Sequence, residues 1–222
     1  MCFSASASFT ASAVLTTVGV VSIKTAPDKS QLPFAAIPLL FAAQQACEGF
    51  LWMSLTNPEH SAWQNPATHI FLVFAQVLWP SWVPYSVTLM EKNEKRKKIL
   101  KYLTGFGLLI SCYLAFCIAF FNLYSTDAGH HISYVVDFPH NLNLLTGLIY
   151  FIPTVLPLLV STVKGARLLG VANFVAFAVV TVVFHEHIAS IWCFFAAILS
   201  SIILGMMFVL KKRSSETRTV TV

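Results

Sequence analysis

Gln44, Glu48 and Trp52 recur at i, i+4 and i+8 in the apolar run PLLFAAQQACEGFLW, so a helix would set an amide, a carboxylate and an indole on one face. Gln45 lies beside that stripe. A charge in such surroundings costs about 2.5–3.5 kcal/mol even on the more forgiving insertion scales, so Glu48 must be paired, protonated or turned to a wet cavity. That makes it the first candidate for a general base or for a group that takes up a proton or cation. The second set of candidates is the histidines, of which FHEHIASIW brings two together at His185 and His187. Imidazole, carboxylate and thiolate are zinc ligands, and imidazole with thiolate also suits copper. A zinc or copper site built from His69, His140, His185 and His187 would activate water for hydrolysis, with Glu48 as general base. If Met1 is removed, Cys2 carries an amine beside its thiol, a pair that can chelate a metal or act as nucleophile and base. Ser4, Gln76, Asn143, Trp192 and Cys193 complete the expected pocket, and Tyr150 shares a helical face with Asn143.

The elements that must position these residues follow from composition. Of 222 residues 57% are hydrophobic and 10% charged, against roughly a quarter charged in soluble domains, so the sequence reads as a membrane protein. Five cysteines without a CxxC pair argue against a disulfide scaffold or a zinc ribbon. A helix needs roughly 20 apolar residues to cross a bilayer, and seven stretches approach that length, at about 4–23, 31–55, 66–90, 100–122, 142–163, 168–184 and 188–210. The expected fold class is all-α, a polytopic bundle of seven transmembrane helices in one domain over 1–210, followed by a basic tail over 211–222.

Orientation comes from the positive-inside rule. All 14 Lys and Arg residues fall in the first, third and fifth connections, at the edges of their helices, or in the tail. This predicts an outer N-terminus, a cytoplasmic C-terminus and a plasma-membrane (inner-membrane) location. The run EKNEKRKK is then an orientation signal at the lipid surface, and nucleic acid is not an expected partner. With that topology all seven histidines, His60, His69, His130, His131, His140, His185 and His187, gather at the outer face.

The start MCFSASASF, with PLLFAAQQACEGFLW in the second span and SIWCFFAAILS in the seventh, resembles an uncharacterised bacterial family of small multi-pass membrane proteins beginning MCFSA. The resemblance implies membership without a known activity, and it picks out Cys2, Ser4, Gln45, Glu48, Trp52, Trp192 and Cys193. Two functions compete. In one, the bilayer-embedded protein binds a metal ion and acts as a metal-dependent hydrolase on a small lipophilic substrate. In the other it is a transporter or sensor of a small solute, coupled to protons through Glu48, with Pro80, Pro84, Pro153 and Pro157 bending the helices along its path. The seventh span holds no lysine for retinal, and no phosphate-binding loop or GxSxG elbow occurs. The bland alternative for Gln76, Asn143 and Ser190 is hydrogen bonding that joins helices.

Overall fold

In a computed structural model the chain is described over residues 4–127, 129, 131–139, 144–183 and 188–220, with side chains at all of these but 144–146, 180–183, 188–194, 196 and 217–220. Helix α1 spans Ala5–Thr25, starting where the Ser4 hydroxyl accepts the Ala7 N–H at 3.2 Å. A 3-10 turn at Lys29–Gln31, capped by Asp28, leads into α2 (Leu32–Ala35) and α3 (Ile37–Thr56). Pro33 and Pro38 both stand in first turns, where a missing N–H costs nothing. The next rod opens with a 3-10 turn at Pro58–Trp63, continues as α4 (Gln64–Leu72), widens into a π-helical turn at Val73–Leu78, and ends as α5 (Trp79–Met90). Helices α6 (Glu94–Phe120), α7 (Leu144–Val160), α8 (Ala166–Val183) and α9 (Ile188–Val220) follow.

The described residues are thus mostly helical and form seven rods, counting α2 with α3 and α4 with α5. Among them, four stretches are long and apolar enough to cross a membrane: Ala5–Thr25, Lys29–Thr56, Pro58–Met90 and Glu94–Phe120. Gly147–Val160 and Ala166–Val179 are apolar but shorter. Helix α9 runs on past residue 210 through the basic segment expected as a separate tail.

Cross-helix contacts fix how the rods run. On α1 and α3, Phe9 meets Phe50 at 5.2 Å between rings and the Ser12 hydroxyl donates to Ala42 O at 2.8 Å, so this pair is antiparallel. On α5 and α6, Ser111 reaches Val77 O at 2.6 Å and Thr88 meets Thr104 at 3.1 Å, again antiparallel. Helix α7 runs parallel to α5, from Tyr150 at Ala75 to Ser161 at Glu91. The Trp82 indole donates to Pro33 O at 3.0 Å, which brings the start of α2 to the later half of the rod that ends as α5, so the links that carry Lys29, Lys92 and Lys164 meet at one end of the bundle.

At the other end lies an element that the apolar pattern alone leaves as a loop. Strands β1 (Leu123–Asp127) and β2 (Ile132–Val136) pair antiparallel with Leu123 opposite Val136. Gly129 takes a left-handed φ of 90° in the turn, where its N–H bonds Asp127 at 2.7 Å. Ser125 accepts Gln64 at its carbonyl and meets Thr68 at its hydroxyl, both at 2.8 Å, and Tyr134 stacks on Phe71 at 4.7 Å. Buried Ile132 joins Leu51, Trp52 and Ala67, so the hairpin roofs the ends of α3 and α4.

The π turn has a sequence cause. In a helix with i+5 bonds Ala75 O would be paired with the N–H of residue 80, and Pro80 has none. Tyr150 supplies the replacement, donating to Ala75 O at 2.6 Å. One turn on, Pro84 likewise cannot bond Pro80 O, and α6 brings Gly107 directly against that carbonyl. A methyl at Gly107 would overlap it, whereas one at Gly105 would meet nothing within 4 Å. Gly107→Ala is expected to lower the melting temperature in detergent by about 5 °C, as overpacking costs roughly 1–3 kcal/mol, while Gly105→Ala leaves it level or slightly higher. Circular dichroism melts of the two variants check this.

Candidate functional site

The face of α3 that carries Gln44, Glu48 and Trp52 is turned inward, and these residues with Gln45 expose 2%, 0%, 3% and 1% of their surface. The helical period puts the three on one line, and Gln45, one position round, bends Nε2 to Glu48 Oε2 at 3.1 Å. One turn deeper the Trp79 indole donates to Gln44 Oε1 at 3.1 Å while its ring stacks on Phe41 at 4.2 Å. Above, Trp52 packs under Ile132 of the hairpin, which shields this line from the bundle end. The carboxylate therefore sits in a short polar ladder with apolar walls, where it faces no bulk water.

Below the ladder lies a cavity of about 50 Å³ whose wall includes Phe34, Phe41, Trp79, Tyr150, Thr154 and Asn173. Sequence reading missed Trp79, Thr154 and Asn173. The available signal for the last was an amide isolated in the apolar run of α8. The structure thus continues the polar line inward from Glu48 through Gln44 and Trp79.

The remaining candidates are dispersed. Ser4 caps α1 and meets Ser6 at 3.1 Å. Half-buried His69 bonds Asn65 O through Nδ1 at 2.9 Å, one turn back along its own helix. Gln76 lies in the π turn with Oε1 buried and without a hydrogen-bond partner among the described residues. Trp192 and Cys193 stand on α9, with their side chains outside the description. Cys2, His140, Asn143, His185 and His187 lie outside the described residues, and among those described no three of His, Cys, Asp and Glu converge as a metal site would require.

A second buried carboxylate hid in the charged run EKNEKRKK. Glu91 exposes 2% and accepts four hydrogen bonds, two on each oxygen. Asn93 N at 2.9 Å and the Thr162 hydroxyl at 2.5 Å reach Oε1, while Thr162 N at 2.7 Å and the Ser161 hydroxyl at 3.0 Å reach Oε2. Arg96 adds a bond to Val160 O at 2.8 Å, so the α5–α6 link clamps the end of α7 from both sides. Burial pushes the Glu91 carboxyl upward, but the bonds from Thr162, Asn93 and Ser161 together outweigh it and hold the group below the usual carboxylate range.

Because the folded-state value is depressed, the clamp's contribution is present in full above the ordinary glutamate value of about 4.3 and is lost as pH falls through the folded value. Glu91→Gln keeps the shape but removes the charge and puts an amide donor where one oxygen accepts two bonds, and is expected to cost about 2 kcal/mol or more at pH 7. Chemical unfolding of both proteins from pH 7 to pH 3 should show the gap closing as the wild type acidifies. A gap that stays constant down to pH 3 would show that the charge is not what holds α7.

The model of a family of unknown function, DUF6629, matches residues 1–220. No curated protein and no solved structure matches.

Proposed function

The chain belongs to that family of unknown function, DUF6629, so its own geometry must carry a functional reading. We propose that it is a multi-pass plasma-membrane protein of seven spans, N-terminus outside and basic C-terminus in the cytoplasm, that moves or senses a small solute by exchanging a proton or cation at Glu48. One observation carries this reading: Glu48 exposes none of its surface, yet it heads a line of polar groups through Gln44 and Trp79 toward a cavity whose largely apolar wall includes Tyr150, Thr154 and Asn173. Joining helices requires amides and hydroxyls but no ionisable group, so a carboxylate in this place points to exchange of charge. The candidate bilayer-spanning helices and the meeting of the cationic links at one end fit the same reading.

The test is proton flux. In liposomes loaded with a pH-sensitive dye and subjected to a potassium diffusion potential, wild-type protein should acidify the lumen, and Glu48→Gln should slow this at least tenfold. Equal rates would overturn the proposal.

A second reading keeps the metal. The Nδ1 bond from His69 to Asn65 O leaves Nε2 as the ring's remaining valence, which is how a backbone carbonyl orients a metal-ligating imidazole. In this reading His69 joins His140, His185 and His187 around zinc or copper. Glu48 serves as general base, Cys2 as nucleophile or further ligand, and Ser4, Gln76, Asn143, Trp192 and Cys193 line the pocket for a lipophilic substrate. Elemental analysis separates the two: stoichiometric metal that is lost on His69→Ala supports the hydrolase, and metal-free protein with Glu48-dependent flux supports exchange.

A further inference from the structure

The cavity beneath Gln44 has an unusual balance of hydrogen-bonding valences. Trp79 Nε1 already donates to Gln44 Oε1, the Tyr150 hydroxyl to Ala75 O, and the Thr154 hydroxyl to Tyr150 O at 3.0 Å. Asn173 donates through Nδ2 to Thr154 O at 3.3 Å, a bond that only the amide nitrogen can make and that therefore fixes which way the side chain is turned. Its Oδ1 is buried without a hydrogen-bond partner among the described residues, on a residue only 8% exposed. Asn173 Nδ2 keeps a second N–H, and every other polar valence still open on these four side chains is an acceptor: Asn173 Oδ1 and the lone pairs of Thr154 Oγ1 and Tyr150 Oη. The rest of the wall is apolar: aliphatic side chains from α3, α5, α7, α8 and α9, and the rings of Phe34, Phe41 and Trp79, whose faces are electronegative.

A site in which open acceptors outnumber donors, beside aromatic faces, suits a small ligand that donates hydrogen bonds and carries positive charge. Size narrows the choice. The cavity measures about 50 Å³ where a single water needs roughly 10–15 Å³ by the same measure, so it holds a few heavy atoms and excludes a quaternary ammonium such as choline. We propose that this cavity binds ammonium or methylammonium, its N–H groups directed to Asn173 Oδ1, Thr154 and Tyr150 and its charge set against the rings. The inference rests on the reading of Glu48 as the exchanging group, because Glu48 lies seven residues from Phe41 on α3, about 10 Å along the axis, and supplies the counter-charge.

Radiolabelled methylammonium binding to the purified full chain in detergent, read by scintillation proximity, tests it. Saturable binding is expected, competed by ammonium but not by choline or sodium, and reduced at least tenfold in Asn173→Leu and in Thr154→Val, with each variant checked for a single species by gel filtration. Asn173→Leu replaces an amide with an open valence by an apolar group of similar size, and Thr154→Val provides an independent variant. Wild-type protein without saturable binding, or Asn173→Leu binding as tightly as wild type, would overturn the assignment. Glu48→Gln separates the two readings. Glu48-dependent flux without methylammonium binding sinks the ammonium site alone, and binding without any Glu48-dependent flux sinks the exchange reading alone.

Discussion

A bundle so poor in charge gives its interior polar groups little to bond with except one another, and that constraint shapes each unusual feature of the fold. Pro80 and Pro84 remove two donors from one helix, and neighbouring helices compensate at the affected turns. Tyr150 crosses from α7 to Ala75 O, Ser111 crosses from α6 to Val77 O, and Gly107 lets α6 lie against Pro80 O. The prolines therefore do more than bend a rod: by exposing carbonyls they determine which helices lie beside it. The same requirement accounts for Glu91, whose two oxygens are saturated by four donors from two links.

The polar ladder on α3 shows the rule under tension. Gln45 and Trp79 meet part of what Glu48 and Gln44 demand, while Gln76 Oε1 and Asn173 Oδ1 are left with buried acceptors unmatched among the described residues. An unmatched buried acceptor costs about 1–3 kcal/mol, and Gln31 Oε1 carries the same cost elsewhere among the described residues. The two carboxylates divide the labour accordingly. Glu91 accepts four hydrogen bonds and closes one end as a clamp, whereas Glu48, bonded by Gln45, heads the polar ladder.

Most of the helical architecture was legible because an apolar run of twenty residues can hardly be anything else, and the face of Gln44, Glu48 and Trp52 was legible because helical geometry admits no other arrangement. Three features were not. The hairpin Leu123–Asp127 with Ile132–Val136 is only five residues a side, and its half-alternating Tyr, Ser and Val residues resemble any polar connection until Phe71 and Trp52 are known to lie beneath it. Glu91 is masked by the cations that follow, since composition makes EKNEKRKK a solvated run and only the tertiary approach of Ser161 and Thr162 buries its first residue. Asn173 was passed over because an isolated amide in an apolar helix ordinarily pairs across to a neighbour, and here just one of its two ends does.

The wide turn at Val73–Leu78 divides one continuous rod into two sections with independent phase. A surplus residue in a helix rotates everything beyond it by about 100°, so the azimuth of His69 and the roofed end is set separately from that of Trp79 and the cavity. Shortening this turn by one position would rewind the rod into ordinary α-geometry and swing the two sections out of alignment without altering any side chain in either. The width of this one turn thus fixes the angle at which the roof and the interior face each other.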